Sequence, residues 1–231
     1  MNKREQQRLV REQKRQQADK RAQRNKLLTR LGLAVALPLL VIGILYGLMG
    51  QGETYPPDQV AASDHTRGNP DGVVLMVYAD FQCPACATEH MIMSQAWPRI
   101  SDRVQLVFRH YPLTSAHRHA WTAALYAEAA GQQGQFWEMS DLLFANQSYW
   151  STLGAVSEEF DGYLQQLGLD VEQARAAMSS DELQRKVRND QRGGTSAGVR
   201  GTPTLFVDGR LTPVPRTAAE LISLVGRVSS S

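Results

Sequence analysis

Cysteine is nearly absent from this chain: 231 residues contain two, and both stand in the run Cys83-Pro84-Ala85-Cys86. A disulfide framework is thereby excluded, because a loop this small removes little chain entropy and staples nothing. There is no second C-x-x-C either, so a four-thiolate zinc site is excluded. A metal bound here would need His90, His110, His117 or His119 to complete its ligands. No internal repeat is visible, which removes stacked-repeat architectures. Charge is missing from one long stretch, the 22 residues from Leu31 to Gly52.

That uncharged stretch follows an arm of opposite character. Residues 1–30 hold eleven Lys and Arg against Glu5, Glu12 and Asp19, a formal excess of +8. With the whole chain at +2, residues 31–231 carry −6, so one isoelectric point describes neither part. A run of about 20 apolar residues crosses a bilayer as a helix, and Pro38 is tolerable within it. We therefore expect residues 1–30 to be a basic cytoplasmic tail and 31–50 a single transmembrane helix. The positive-inside rule then places everything after the span in the periplasm or external medium. A cleaved signal peptide fits less well, since the leading segment and the apolar run are both too long and no A-x-A-type site follows. The basic arm is expected to orient the span and touch anionic lipid rather than to bind nucleic acid.

Length suits one medium domain plus this appendage. Gln51 to Asp71 is rich in Gly, Pro and Asp without a sustained period and reads as a tether. Residues 72–78 form a short apolar run, as a buried strand should, and 104–108 a second β-prone segment. Pro84 to Trp97 can form the helix between them. From Ser115 to Ala197 the pattern is helical, with helices expected at His117–Ala130, Phe136–Asn146, near Val156–Leu167, and one or two across Val171–Gly193. Ser115 and Ser180 are candidate N-caps. Strand character returns at Thr204–Val207, and Asp208-Gly209 signals a hairpin. Thr217 with Glu220 fits a capping box opening a last amphipathic helix. The expected fold is α/β and thioredoxin-like, with core segments 72–114 and 198–231 and a helical insertion at 115–197.

The cysteine pair reads as chemistry. At the start of a helix, unpaired N–H groups and the positive dipole end favour a thiolate at Cys83. Pro84 suits the first helical position, where its missing N–H costs nothing. Cys86 lies almost one turn on, partly covered by the helix. Redox exchange outweighs both half of a zinc site and a bland buried pair. Downstream, Thr202-Pro203 stands at the entry to a strand, where a proline is either cis in a tight bend or an ordinary trans residue; the two readings are even. Asp80, three residues before Cys83, could modulate proton transfer, though a solvated loop carboxylate is the plainer reading. His117 and His119 read as surface residues, and Trp121, Phe136, Trp137 and Trp150 as core or groove lining.

Asp80-Phe81-Gln82-Cys83-Pro84-Ala85-Cys86 together with Gly201-Thr202-Pro203-Thr204 resembles the DsbA family of thiol:disulfide oxidoreductases, especially its membrane-tethered, two-cysteine members. The segments Phe108–Leu113 and Gly134–Met139 extend the resemblance. It implies that Cys83 is the attacking sulfur and Cys86 its buried partner. Pro203 would be the cis-proline facing them, and Thr202 would offer backbone groups to an extended substrate. Pro84 and Ala85, between the cysteines, would tune the pair; the histidine of the best-known members is absent there. The resemblance further implies no cofactor beyond the Cys83–Cys86 disulfide, exported thiol proteins as substrates, and re-oxidation by a quinone-linked membrane oxidase. A reductase or isomerase, and more remotely a copper or zinc chaperone, are the alternatives.

Overall fold

A computed structural model describes residues 21, 24–26, 28, 30, 32–44, 47 and 53–229. The chain divides into two units between Gln51 and Gly52. In the first, residues 32–44 form helix α1, whose large apolar side chains from Leu33 to Ile44 are exposed. Among the described residues no helix is long and apolar enough to cross a membrane. Positions 31, 45, 46 and 48–50 of the expected span, and most of the basic arm, lie outside the described residues.

The second unit is built on a five-stranded sheet. Its strands are β1 (His65–Gly68), β2 (Val73–Ala79), β3 (Val104–His110), β4 (Thr204–Val207) and β5 (Arg210–Thr212), in spatial order β1-β3-β2-β4-β5. Strands β2 and β3 are parallel, in register from Val73 opposite Val104 to Ala79 opposite His110, and the other pairs are antiparallel. A parallel pair needs a crossover, and helix α2 (Pro84–Ala96) with the 3-10 turn Trp97–Arg99 provides it. The strand register sends Leu75 and Val77 into the larger core and Met76 and Tyr78 into the smaller one on the opposite face. Both faces being covered, β2 and β3 read as continuous apolar runs. Asp208 and Gly209 adopt φ of 45° and 76°, the left-handed pair a two-residue hairpin needs between β4 and β5.

Between β3 and β4 lie α3 (Ala120–Gln132), α4 (Phe136–Ala145), α5 (Gln147–Trp150), α6 (Ser157–Gln166), α7 (Val171–Met178) and α8 (Asp181–Ser196). Met139, Leu143, Trp150, Phe160 and Leu164 from these helices join the larger core. The last helix, α9 (Ala218–Val228), packs against α2. Ser180 caps α8 through the Leu183 N–H at 3.4 Å. Thr217 caps α9 through the Glu220 N–H at 3.2 Å, but the Glu220 carboxylate accepts from the Arg216 N–H at 2.8 Å, one residue before the cap. Ser115, by contrast, caps nothing. The Leu113 carbonyl takes the N–H groups of Ala116 and His117 in a turn, and α3 begins only at Ala120.

The expected tether, 51–71, differs most from expectation: its described residues, 53–71, are bound to the domain. The Arg109 guanidinium on β3 donates to the carbonyls of Tyr55 (2.7 Å), Pro56 (3.2 Å) and Gln59 (2.7 Å) and makes a two-pronged pair with Asp64 at 3.0 and 2.8 Å. Strand β1 follows and forms the sheet edge. His65 on β1 shares the buried Glu128 carboxylate with His110, at 2.9 and 2.7 Å. Burial pushes Glu128 up, but the two imidazole N–H bonds and nearby Lys186 outweigh it and hold the carboxyl below its usual range.

Candidate active site

The site forms where β2 runs into α2. Cys83 is the N-cap of α2, with extended φ and ψ of −77° and 120°. Its N–H donates to the Asp80 carbonyl at 3.0 Å, and its carbonyl accepts from Cys86 (3.0 Å) and Ala87 (3.2 Å), the first bonds of the helix. Pro84 occupies the first turn, and no side-chain oxygen caps it, so the Cys83 sulfur stands where a capping oxygen would.

Opposite the sulfur lies the loop entering β4. The Thr202–Pro203 bond is cis, and the Cys83 thiol donates to the Thr202 carbonyl at 3.4 Å. The two sulfurs titrate in opposite directions. The Cys83 thiol is lowered to about 5, first by the hydrogen bond from the Cys86 thiol. Burial opposes that, while the Thr202 side chain and the main-chain amides of Cys86 and Ala85 add to it. Cys86 is completely buried, and burial, with its bond to Cys83, pushes its thiol far up. In the reduced form the negative charge therefore rests on Cys83 and the proton on Cys86. The Thr202 hydroxyl is buried with no hydrogen-bond partner among the described residues.

Asp80 is not a solvated loop carboxylate. It is 1% exposed; Oδ1 accepts from the Gln82 N–H at 2.8 Å, and Oδ2 from the Leu113 N–H (2.9 Å) and His117 Nδ1 (2.7 Å). The histidines read as surface residues are likewise engaged, the His117 ring with Asp80 and the His119 ring with the Leu153 carbonyl at 2.9 Å, while the His119 main-chain N–H donates to the Gln82 side chain at 2.7 Å. His90 pairs with Asp141 at 2.9 Å, and His110 with Glu128. The histidines that could have completed a thiolate metal site thus turn to other partners. Among the described residues no group of three or more His, Cys, Asp and Glu could hold a metal ion. Sequence reasoning missed Gln147, whose side-chain amide donates to the carbonyls of Phe81 at 2.6 Å and Cys83 at 2.9 Å. No local signal marks it, because its partners are main-chain atoms more than 60 residues away.

Beside Pro203 the surface opens into two shallow hollows that share Pro203 and Val214 in their walls. One, of about 460 Å³, is lined by Pro203, Thr204, Leu205, Leu211, Thr212, Pro213 and Val214. The other, of about 370 Å³, runs from Ala85, Thr88 and Ile92 on α2 past Pro203 to Val214, Pro215 and Arg216. A thiolate at a helix start, a protonated buried thiol behind it and an apolar trough alongside can perform thiol–disulfide exchange on an extended segment.

Comparison with known proteins places this geometry. The thioredoxin family model matches residues 61–226. A Na(+)/H(+) antiporter NhaA 1 of Salinispora arenicola is 34% identical over 171 residues, 74% of this chain but 25% of that protein. A counterpart in Mycolicibacterium gilvum is 35% identical over 164 residues, 69% of this chain and again 25% of the other. The chain thus spans about a quarter of the length of these curated relatives, and the matches fall in its thioredoxin-like region. Among solved structures, BdbD from Bacillus subtilis, in its oxidised form, superposes with a TM-score of 0.65 at 16% identity, covering 78% of this chain and all of that one. A thioredoxin-like oxidoreductase from Silicibacter pomeroyi gives 0.60 at 22% identity, over 74% and 95% of the two chains. MdbA, a thiol-disulfide oxidoreductase from Corynebacterium diphtheriae, gives 0.59 at 16%, over 76% and 95%. Family match and fold agree: the chain belongs to the thioredoxin family and carries the DsbA-like fold of thiol–disulfide oxidoreductases.

Proposed function

We propose that this chain is a membrane-anchored, extracytoplasmic thiol:disulfide oxidoreductase that introduces disulfide bonds into exported proteins. The observation that carries the reading is the placement of the pair, Cys83 at the N-cap of α2 with its sulfur 3.4 Å from the Thr202 carbonyl and Cys86 fully buried behind it; the opposite displacement of the two thiols, Cys83 to about 5 and Cys86 upward, agrees with it. A stable Cys83 thiolate favours the reduced pair and makes its disulfide oxidising.

In the cycle, a substrate thiolate attacks Cys83 Sγ. The Cys83–Cys86 bond breaks, and Cys86 leaves and takes a proton. A second substrate thiol loses its proton and attacks the substrate sulfur of the mixed disulfide, expelling Cys83 as the thiolate. Two electrons pass from substrate to enzyme, and no metal or organic cofactor takes part. Thr202 and Pro203 receive the substrate segment beside Cys83, with Pro84, Ala85 and Asp80 tuning the pair. A membrane oxidase linked to quinone removes the electrons. Nucleic acid has no place in this cycle.

The anchor rests on charge and hydropathy. Helix α1 exposes apolar side chains along its length, and a helix apolar all round needs lipid or protein about it. The +8 of residues 1–30 sets the N-terminus in the cytoplasm.

The deciding experiment is the reduction potential of the chain in glutathione buffers. A value well above roughly −200 mV supports a disulfide donor; one near the roughly −270 mV of thioredoxin makes the protein a reductase. Cys83→Ser is expected to abolish turnover, and Cys86→Ser to accumulate mixed disulfides at Cys83. Turnover retained by Cys83→Ser sinks the assignment.

A further inference from the structure

The turn that carries Cys83 is held from one side by the helices inserted between β3 and β4, and one side chain there bonds the turn's main chain twice. Gln147 opens the short helix α5, is 6% exposed, and spends both N–H bonds of its carboxamide on main-chain carbonyls, Phe81 at 2.6 Å and Cys83 at 2.9 Å. The two carbonyls bracket the residue before the nucleophilic sulfur. The Cys83 carbonyl also receives the first two helical N–H groups of α2, so its direction fixes how the helix start is presented. The Phe81 carbonyl follows the end of β2 and sits in the same buried layer. Next to Gln147 in space, the Gln82 side chain bridges to the His119 N–H at 2.7 Å and to the Ser151 carbonyl at 3.5 Å. Both ends of α5 therefore grip the turn.

We infer that Gln147 is a positioning residue for Cys83, its carboxamide orienting residues 81–83 so that the sulfur lies over the first-turn amides of α2. The inference rests on the redox reading of the site and adds to it the element that sets the nucleophile's surroundings. A thiolate is stabilised by donors aimed at it, here the Cys86 thiol first and then, among others, the main-chain amides of Cys86 and Ala85. The Ala85 and Cys86 amides hold that aim only while the preceding peptide planes keep theirs. Gln147 touches neither sulfur nor substrate and acts through the main chain alone. Losing its two donors takes the side-chain partner from the Phe81 carbonyl, while the Cys83 carbonyl keeps its two helical N–H groups; substitution therefore also lowers stability, and stability by itself cannot serve as the readout.

The test is the titration of Cys83 in the full-length reduced chain, followed by thiolate absorbance and by the rate of alkylation against pH. Gln147→Met keeps the side-chain volume and removes both donors. The Cys83 midpoint, expected near 5 in the parent, should rise by roughly one unit, slowing alkylation about tenfold below it. Gln147→Glu keeps the shape but turns an acceptor toward two carbonyls, and is expected to move the midpoint further in the same direction. Tyr126→Phe, which breaks the 2.9 Å bond to Asp161 elsewhere in the insertion, controls for plain destabilisation and should leave the midpoint in place. A folded Gln147 variant that titrates like the parent overturns the inference. A measurement without substitution decides the matter even where both variants misfold. The side-chain amide resonance of Gln147 in the parent should shift with the midpoint of Cys83, and a signal indifferent to that titration overturns the inference. A parent chain with no thiol–disulfide exchange at all overturns the redox reading instead, which keeps the two failures apart.

Discussion

The turn at Cys83 has two flanks built on different principles. Toward the insertion it is closed and polar. Asp80, Gln82 and Gln147 spend their side chains on buried hydrogen bonds to Leu113, His117, His119 and the turn itself. Toward β4 and β5 it is open and mostly apolar, with the Thr202 carbonyl 3.4 Å from the sulfur and a trough past Pro203 to Val214. A closed polar flank fixes geometry, because leaving any one donor or acceptor unpaired is costly. An open flank that offers main-chain atoms and shape accepts many sequences. On the proposed function, the comparison assigns the positioning of the turn to the closed flank and the reception of substrate to the open one.

If that division is real, substitutions on the two flanks should separate stability and thiol titration from substrate turnover. The largest effect is expected from Asp80→Ala. It strips partners from the Gln82 and Leu113 N–H groups and from His117, all in a buried setting. About 3 kcal/mol should be lost in urea denaturation; a loss under 1 kcal/mol would mean that water enters and the flank is not closed.

Next comes the pH dependence of the reduced form. The folded pKa of Cys83, about 5, lies below the roughly 8.5 of an unfolded thiol. A depressed pKa contributes stability that is complete above the unfolded value and is lost as pH falls through the folded one. Relative to Cys83→Ser, the reduced protein should therefore gain most above about pH 8.5, progressively less below it, and nothing below about 5. Partial contact with solvent keeps the gain below the loss expected for Asp80→Ala. An advantage that grows as pH falls would place the charge elsewhere than on Cys83.

On the open flank, Val214→Asp sets a carboxylate where both hollows meet. A fall in kcat/KM of roughly tenfold is expected, about 1.4 kcal/mol of lost substrate interaction, with the Cys83 midpoint unmoved. A shifted midpoint would break the division between the flanks from this side.

Much of the closed flank was invisible in the sequence, and the reason is physical. Signals that act over a few residues were legible. Pro84 after Cys83 started α2, Asp208-Gly209 turned β4 into β5, and Ser180 and Thr217 capped the helices that follow them. Each depends on the conformational preference or hydrogen bonding of the residue itself. Asp80 and Gln147 depend on partners up to 66 residues away. A polar residue bound for a distant carbonyl has the same local pattern as one bound for water. Strand β1 was missed for a related reason. His-Thr-Arg-Gly has no apolar alternation, and it is held at the sheet edge by pairing with β3 and by His65 on Glu128. Arg109 stands within the resembling segment Phe108–Leu113, but nothing local shows that it straps down residues 55–64.

The smallest expected effect is the one that probes how far the closed flank extends. Ser180 caps α8 through a long 3.4 Å bond, so Ser180→Ala should cost no more than about 1 kcal/mol and lower the melting temperature by roughly 2–4 °C. Yet α8 is not remote from the site in connectivity. Asp190 accepts from the His110 N–H at 3.0 Å, and the Gln191 side chain donates to the Pro112 carbonyl at 2.8 Å, one residue before the Leu113 N–H that Asp80 holds. If positioning is confined to side chains that touch the turn, the Cys83 midpoint stays where it is in this variant while the melting temperature drops. If the midpoint follows the melting temperature, α8 reaches the sulfur through Pro112, Leu113 and Asp80. The flank that sets the chemistry would then be the whole insertion rather than the few residues lining the turn.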